Sequence, residues 1–182
     1  DTTTLWTGLD SFVNWPGEYG ISLTIDYHEY DGSFNVESSA DPQYRKMVAN
    51  VWKTVAARYA DNPREDIFYE LLNEPGMNSN GKINKDNWTL TAQEMIDSIR
   101  AVDTKHTILF GDVQWYDIKE LQTREPFTDD NIVYVIHSYE PFVFTHQGAS
   151  WGETATLKNI PFPYDSTKWS TFSSDFGVKK NT

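Results

Sequence analysis

Cysteine is absent from the 182 residues. No disulfide framework and no thiolate chemistry is open to this chain, although the absence does not assign it to a compartment. Runs of Lys and Arg are missing too: 15 basic residues stand against 27 acidic ones, giving a net charge of −12 and a pI near 4.6. Binding to phosphate backbones needs clustered cations, so a nucleic-acid partner is excluded; a neutral ligand is indifferent to this charge. No stretch reaches the ~20 apolar residues of a membrane span, and no leader pattern occupies the N-terminus. The opening DTTTLWTG reads instead as a boundary inside a domain. Linkers of low complexity and repeats are also lacking. The expectation is a single domain fragment over residues 1–182.

What is present is aromatic surface and alternation. Seven Trp and ten Tyr exceed what a core of this size needs, and such rings either bury or form flat binding platforms. Apolar periodicity predicts a partial helix over about 3–19, with Leu5, Leu9, Phe12 and Val13 on one side. ISLTIDYH (21–28) is β-branched and strand-like. The strongest helix covers 41–61, with Asp41 as N-cap, Pro42 at its first position, and Met47, Val48, Val51, Trp52, Val55 and Tyr59 as its apolar stripe. DIFYELLN (66–73) is a strand, 87–103 a second amphipathic helix, HTILFGD (106–112) a strand, 115–122 a helical turn, and NIVYVIHSY (131–139) a fourth strand. The aromatic segment from Glu140 to Pro163 is loop-like, and DSTKWSTFS (165–173) reads as a helix start. Strand and helix in alternation, with strands apolar on both faces, predict parallel β-structure with crossover helices. A closed (β/α) barrel needs eight strands; four make a small open sheet or half a barrel.

All four strands end in polar or aromatic residues: Asp26 to Glu29, Asn73-Glu74, Asp112 to Trp115, and His137 to Glu140. Ligands and catalytic groups sit at that edge of parallel α/β folds. An apolar run that delivers Asn73-Glu74 and stops at Pro75-Gly76 therefore places a carboxyl group at the rim. Burial there suits a general acid, and an amide beside it suits a sugar hydroxyl. The plain alternative is that Glu74 caps the strand and Asn73 makes a turn; three letters do not decide it. His28, His137 and Tyr139 reach the same edge, and Trp115 stands there as either core or platform.

TIDYHEYDG, FYELLNEPG, FGDVQWYDI, and above all HSYEPFVFTHQGASW with PFPYD resemble, in order and over the whole chain, family 5 of the glycoside hydrolases, the cellulase-type (β/α)8 enzymes. The resemblance implies that Glu74 is the acid/base and Asn73 its neighbour. His28 then matches the strand-three histidine, His137 and Tyr139 the strand-six pair, and Trp115 a subsite aromatic. It implies a secreted endo-β-1,4-glucanase that needs no cofactor or metal and takes a polysaccharide substrate. It also implies that the chain covers strands three to six, so that an active-site arginine, the nucleophilic glutamate and a strand-eight tryptophan are missing. Asp175 in SSDFGV is a minor substitute for that nucleophile.

Hydrolysis needs two carboxyl groups, about 5–5.5 Å apart for retention and roughly 6.5–9.5 Å for inversion. A half-barrel would also leave two strand edges and an apolar face open. Pairing two copies would close eight strands, so a homodimer is expected, with the two Glu74 carboxylates facing across it. The runner-up is a truncated barrel that binds glucan without cleaving it. A metal-dependent hydrolase built on Asp26, His28, Asp31 and His137 has suitable ligand types without a matching motif. Asn87-Trp88-Thr89 forms a glycosylation triplet of the kind that arises by chance.

Overall fold

The computed structural model describes residues 2–29, 32–76, 82–163 and 165. Two compact units divide the chain, Asp1–His137 and Ser138–Thr182.

In the first unit, α1 (Thr2–Glu18) leads into β1 (Leu23–Asp26). α2 (Val36–Ala40) and α3 (Pro42–Tyr59) lie between β1 and β2 (Ile67–Glu70), and α4 (Lys85–Arg100) lies between β2 and β3 (Thr107–Gly111). Two short segments, α5 (Val113–Tyr116) and α6 (Ile118–Gln122), precede β4 (Ile132–Val135). The strands form one parallel sheet in the order β1-β2-β3-β4. Caps decide where the long helices begin. Asp41 accepts from the Gln43 amide with Pro42 at the first position, and Asn84 accepts from the amides of Asp86 and Asn87. Each cap satisfies backbone donors that no helical carbonyl can reach.

Alternation along β2 explains how the sheet is used: Ile67 and Tyr69 are buried while Phe68 and Glu70 are half-buried on the opposite face. Tyr69 meets Trp52 of α3 at 5.6 Å between ring centroids, and Trp88 of α4 stacks on Phe110 of β3 at 5.8 Å. Each buried side chain of this size is worth about 1.5–3 kcal/mol. Both indole N–H groups donate to strand-end carbonyls, Trp52 to Leu71 at 2.9 Å and Trp88 to Gly111 at 3.1 Å. These rings therefore fix the very strand ends that carry the polar residues.

The four strands and two long helices agree with the sequence pattern, but two apolar stripes shift. On α3 the buried positions are Val48, Ala49, Trp52, Ala56 and Tyr59, which leaves Met47 and Val51 exposed one step around the helix. On α1, Val13 is buried while Leu5 and Phe12 face outward. The helical turn expected at 115–122 is two segments, and the first is not right-handed. The glycosylation triplet falls in the first turns of α4, with Trp88 fully buried.

The second unit contains α7 (Phe142–Thr145) and a small core of Val143, Leu157 and Ile160. Gln147 ties it together by donating to Phe144 and Ile160 carbonyls and accepting from the Ile160 amide. Asp31, Asp175 and most of the expected helix start at 165–173 lie outside the described residues.

Candidate active site at the strand ends

Asn73 and Glu74 follow β2 three and four residues beyond Glu70, and the Asn73 backbone amide donates to the Tyr27 carbonyl at 3.1 Å, which ties this strand end to that of β1. Glu74 is 8% exposed and has φ of 44°. A side chain in this left-handed region is costly, by about 1–2 kcal/mol, and a residue preceding proline is pushed towards extended conformations instead. Strain of this kind collects at functional sites. Gly76, with φ of 89°, then completes the turn at a conformation suited to glycine.

His137, just past β4, reaches Glu74: its Nδ1 lies 2.6 Å from Oε1. The second imidazole is wired differently. His28 Nδ1 donates to Asp26 Oδ2 at 2.7 Å, which leaves Nε2 to accept from the side-chain Nδ2 of Asn73 at 3.3 Å. Asp26, His28 and Asn73 thus form a chain across two strands, ending beside Glu74. Asp26 and Glu70 are register partners on β1 and β2. Burial pushes the Asp26 carboxyl above the ordinary aspartate range, against the pull of the His28 hydrogen bond, and among the described residues its buried Oδ1 has no hydrogen-bond partner within 3.5 Å. Burial raises Glu70 as well, and the Asp26 charge adds to it.

This pair gives a prediction with a definite sign. A carboxyl group raised in the folded state holds its proton more tightly than the unfolded chain does, near pH 4.3 for glutamate. Its contribution to stability is therefore present at low pH and lost as pH rises through the folded value. Glu70→Gln keeps the shape and removes the charge. The urea midpoint of this variant is expected to exceed that of the unsubstituted chain at pH 8 and to converge with it near pH 4; equal midpoints at pH 8 would show that Glu70 carries no such burden.

Trp115 is thrown outward, 51% exposed, while its neighbour Tyr116 is buried. Tyr139 belongs to the second unit. There it is 50% exposed, and its ring meets His146 edge-on at 5.2 Å; His146 stacks on Phe142 at 3.9 Å and meets Trp151 at 5.1 Å. The sequence reading passed over Asp26 as a partner of His28, Glu70, Tyr116, and His146 with Trp151. Asp112, another strand-end residue, points away from this chemistry into an ion pair with Arg124. Among the described residues, no group of three or more His, Asp or Glu side chains could hold a metal ion, and no helix is long and apolar enough to cross a membrane.

Parallel β/α units with polar groups gathered at the strand C-termini define an α/β protein with its site at that edge, as in open sheets and (β/α) barrels alike. The family model for cellulases, glycosyl hydrolase family 5, matches residues 3–177, and the chain belongs to that family. It is 64% identical to Endoglucanase 3 of Fibrobacter succinogenes over 182 residues, all of this chain and 28% of that protein. It is 32% identical to Endoglucanase C of Acetivibrio thermocellus over 161 residues, 86% of this chain and 45% of that one. The crystal structure of endoglucanase Cel5A from Thermotoga maritima superposes with a TM-score of 0.76 at 29% identity, over 96% of this chain and 54% of that one. The chain thus spans about half the length of that structure and less of the two relatives, and its four parallel strands are a partial barrel.

Proposed function

We propose that residues 1–182 are a piece of one catalytic domain carrying the proton-donor side of an endo-β-1,4-glucanase site, with Glu74 as the general acid/base. One observation supports this reading above the others: Glu74 stands nearly buried at the C-terminal end of a parallel strand, in a strained conformation, gripped by His137. A carboxyl group so placed can protonate a glycosidic oxygen and later activate water. Asn73, oriented through His28, would hold the sugar beside the scissile bond. The exposed Trp115 ring supplies a stacking face for a sugar; in the second unit, taken by itself, the exposed Tyr139 ring offers an aromatic face of the same kind. A polymer of this kind lies outside the cell, which places the protein's work there; recovery from culture medium checks it.

A second reading, binding without cleavage, is favoured by the fate of the other carboxyl groups. Asp26 and Glu70 are the two that crowd Tyr116 together with Glu74. Each sits within a strand and is engaged, Asp26 with His28 and Glu70 with Tyr116. Titration with cellotetraose, alongside a reducing-end assay on a soluble cellulose derivative, separates the two readings. Binding with product release supports hydrolysis, binding alone supports the second reading, and neither result removes both.

The sheet ends in two outer strands, β1 and β4. Val133 and Ile136 are exposed at β4, as are Leu5, Phe12 and Trp15 on α1. Apolar surface and open edges of this kind call for a partner. We extend the proposal to a two-fold homodimer that closes eight strands, one Glu74 from each copy facing the interior. Light scattering at micromolar concentration is expected to give twice the 21.0 kDa chain mass. A monodisperse species at 21.0 kDa removes the dimer and leaves the Glu74 reading untouched.

A further inference from the structure

Gln114, Trp115 and Tyr116 have φ of 58°, 60° and 61°. Three successive residues bearing side chains in the left-handed region persist only where their surroundings over-determine them, and such outliers point to function. The surroundings here are specific. The Asp112 carboxylate accepts from the Val113 amide at the start of the turn, and the Tyr116 amide closes it on the Asp112 carbonyl at 3.2 Å. Gly111 leaves room for the result, since a β-carbon at that position would come within 2.1 Å of the Tyr116 ring. The ring is 1% exposed.

What this seat accomplishes lies on two sides of Glu74. The Tyr116 hydroxyl donates to the Leu72 carbonyl at 2.6 Å, immediately before Asn73-Glu74. Its ring centroid lies 4.7 Å from that of His137, and its carbonyl accepts from the His137 amide at 3.3 Å. His137 is the residue that grips Glu74. The Glu70 carboxyl is within hydrogen-bonding reach of the same hydroxyl.

We propose that Tyr116 is a positioning residue for Glu74, seated by the left-handed turn: its hydroxyl fixes where Asn73 and Glu74 leave β2, and its ring fixes the imidazole that holds the Glu74 carboxylate. This rests on the reading of Glu74 as proton donor, and it names the side chain through which that reading is enforced.

Tyr116→Phe keeps the ring and removes the hydroxyl. In the whole chain, amide hydrogen exchange at Asn73 and Glu74 is expected to quicken about two- to tenfold, the scale of one lost hydrogen bond, with the His137 ring signals displaced. Exchange at Trp52 and Ile96, in the helical layer, is expected to stay unchanged. Uniform quickening through the core, or none at Asn73 and Glu74, overturns the proposal. Should the variant not fold, the unsubstituted protein decides it. The Tyr116 hydroxyl proton is expected as a slowly exchanging resonance with a through-space contact to the His137 ring, and its absence overturns the proposal. Titration with cellotetraose keeps the two ideas apart. An unsubstituted chain that binds none counts against the glucan reading, whereas the exchange data judge Tyr116 by themselves.

Discussion

Glu74→Gln is expected to lower the release of reducing ends from a soluble cellulose derivative by about 10²–10⁴-fold, the usual worth of a positioned proton donor. Gln is nearly isosteric and can still meet His137, so affinity for cellotetraose is expected to stay within about twofold. That split is the informative part. A residue that merely caps β2 would, when amidated, lower the unfolding midpoint and leave turnover per folded molecule intact. A proton donor does the reverse, because the amide has no acidic proton to give to a departing sugar oxygen. Turnover retained in Glu74→Gln would take Glu74 out of the mechanism. A chain that binds cellotetraose but releases no reducing ends before substitution would place it under the second reading.

The rim residues were legible because parallel strands announce their ends. An apolar run that stops at Asn73-Glu74-Pro75-Gly76 fixes both the element and the edge, and the cap at Asp41 follows from side-chain chemistry one turn away; Asn84, which starts α4 at Lys85 rather than at the expected 87, was not read. Partnerships were less legible. That His28 leans on Asp26 while His137 grips Glu74 depends on which strands lie side by side, and this is a property of the sheet rather than of either segment. Tyr116 was missed for another reason. Gln, Trp and Tyr carry no signal for a left-handed turn, so 115–122 reads as ordinary helix. What demands the turn is the space above Gly111 and the carbonyl of Leu72, both supplied from elsewhere in the chain. The exposed faces of α1 and α3 were misjudged because apolar spacing shows that a helix has a stripe, not which neighbour covers it.

The largest loss of stability is expected from Arg124→Met. Asp112 is fully buried, and Arg124, with its side chain 4% exposed, meets it with two parallel hydrogen bonds of 2.7 and 2.6 Å. A third guanidinium donor reaches Thr89 Oγ1 at 2.7 Å, and the guanidinium lies 4.7 Å above the Phe110 ring. Burial by itself pushes the Asp112 carboxyl up. The Arg124 hydrogen bonds, the Val113 amide and the charges of Arg124 and Lys85 outweigh it, so the group ends below the ordinary aspartate range. A carboxyl group lowered in the folded state contributes stability that is present above its unfolded value, about 3.9, and is lost as pH falls through the folded value. Removing Arg124 leaves that charge buried with Lys85 at 3.4 Å as its remaining cation, a change that costs about 3–5 kcal/mol in comparable pairs. For a chain of this length each 1 kcal/mol moves the melting temperature by about 2–4 °C, so a drop of roughly 10 °C is expected at pH 7. The deficit should shrink below pH 4, where protonation of Asp112 relieves the variant and withdraws the benefit from the unsubstituted chain. Asp112→Leu combined with Arg124→Met is expected to recover most of the loss, since a well-packed apolar pair of similar volume is often neutral where a broken ion pair is not. A deficit that persists unchanged at pH 3.5, or one that the double variant fails to reduce, would mean that the Arg124 side chain stabilises this corner by packing on Phe110 rather than by neutralising Asp112.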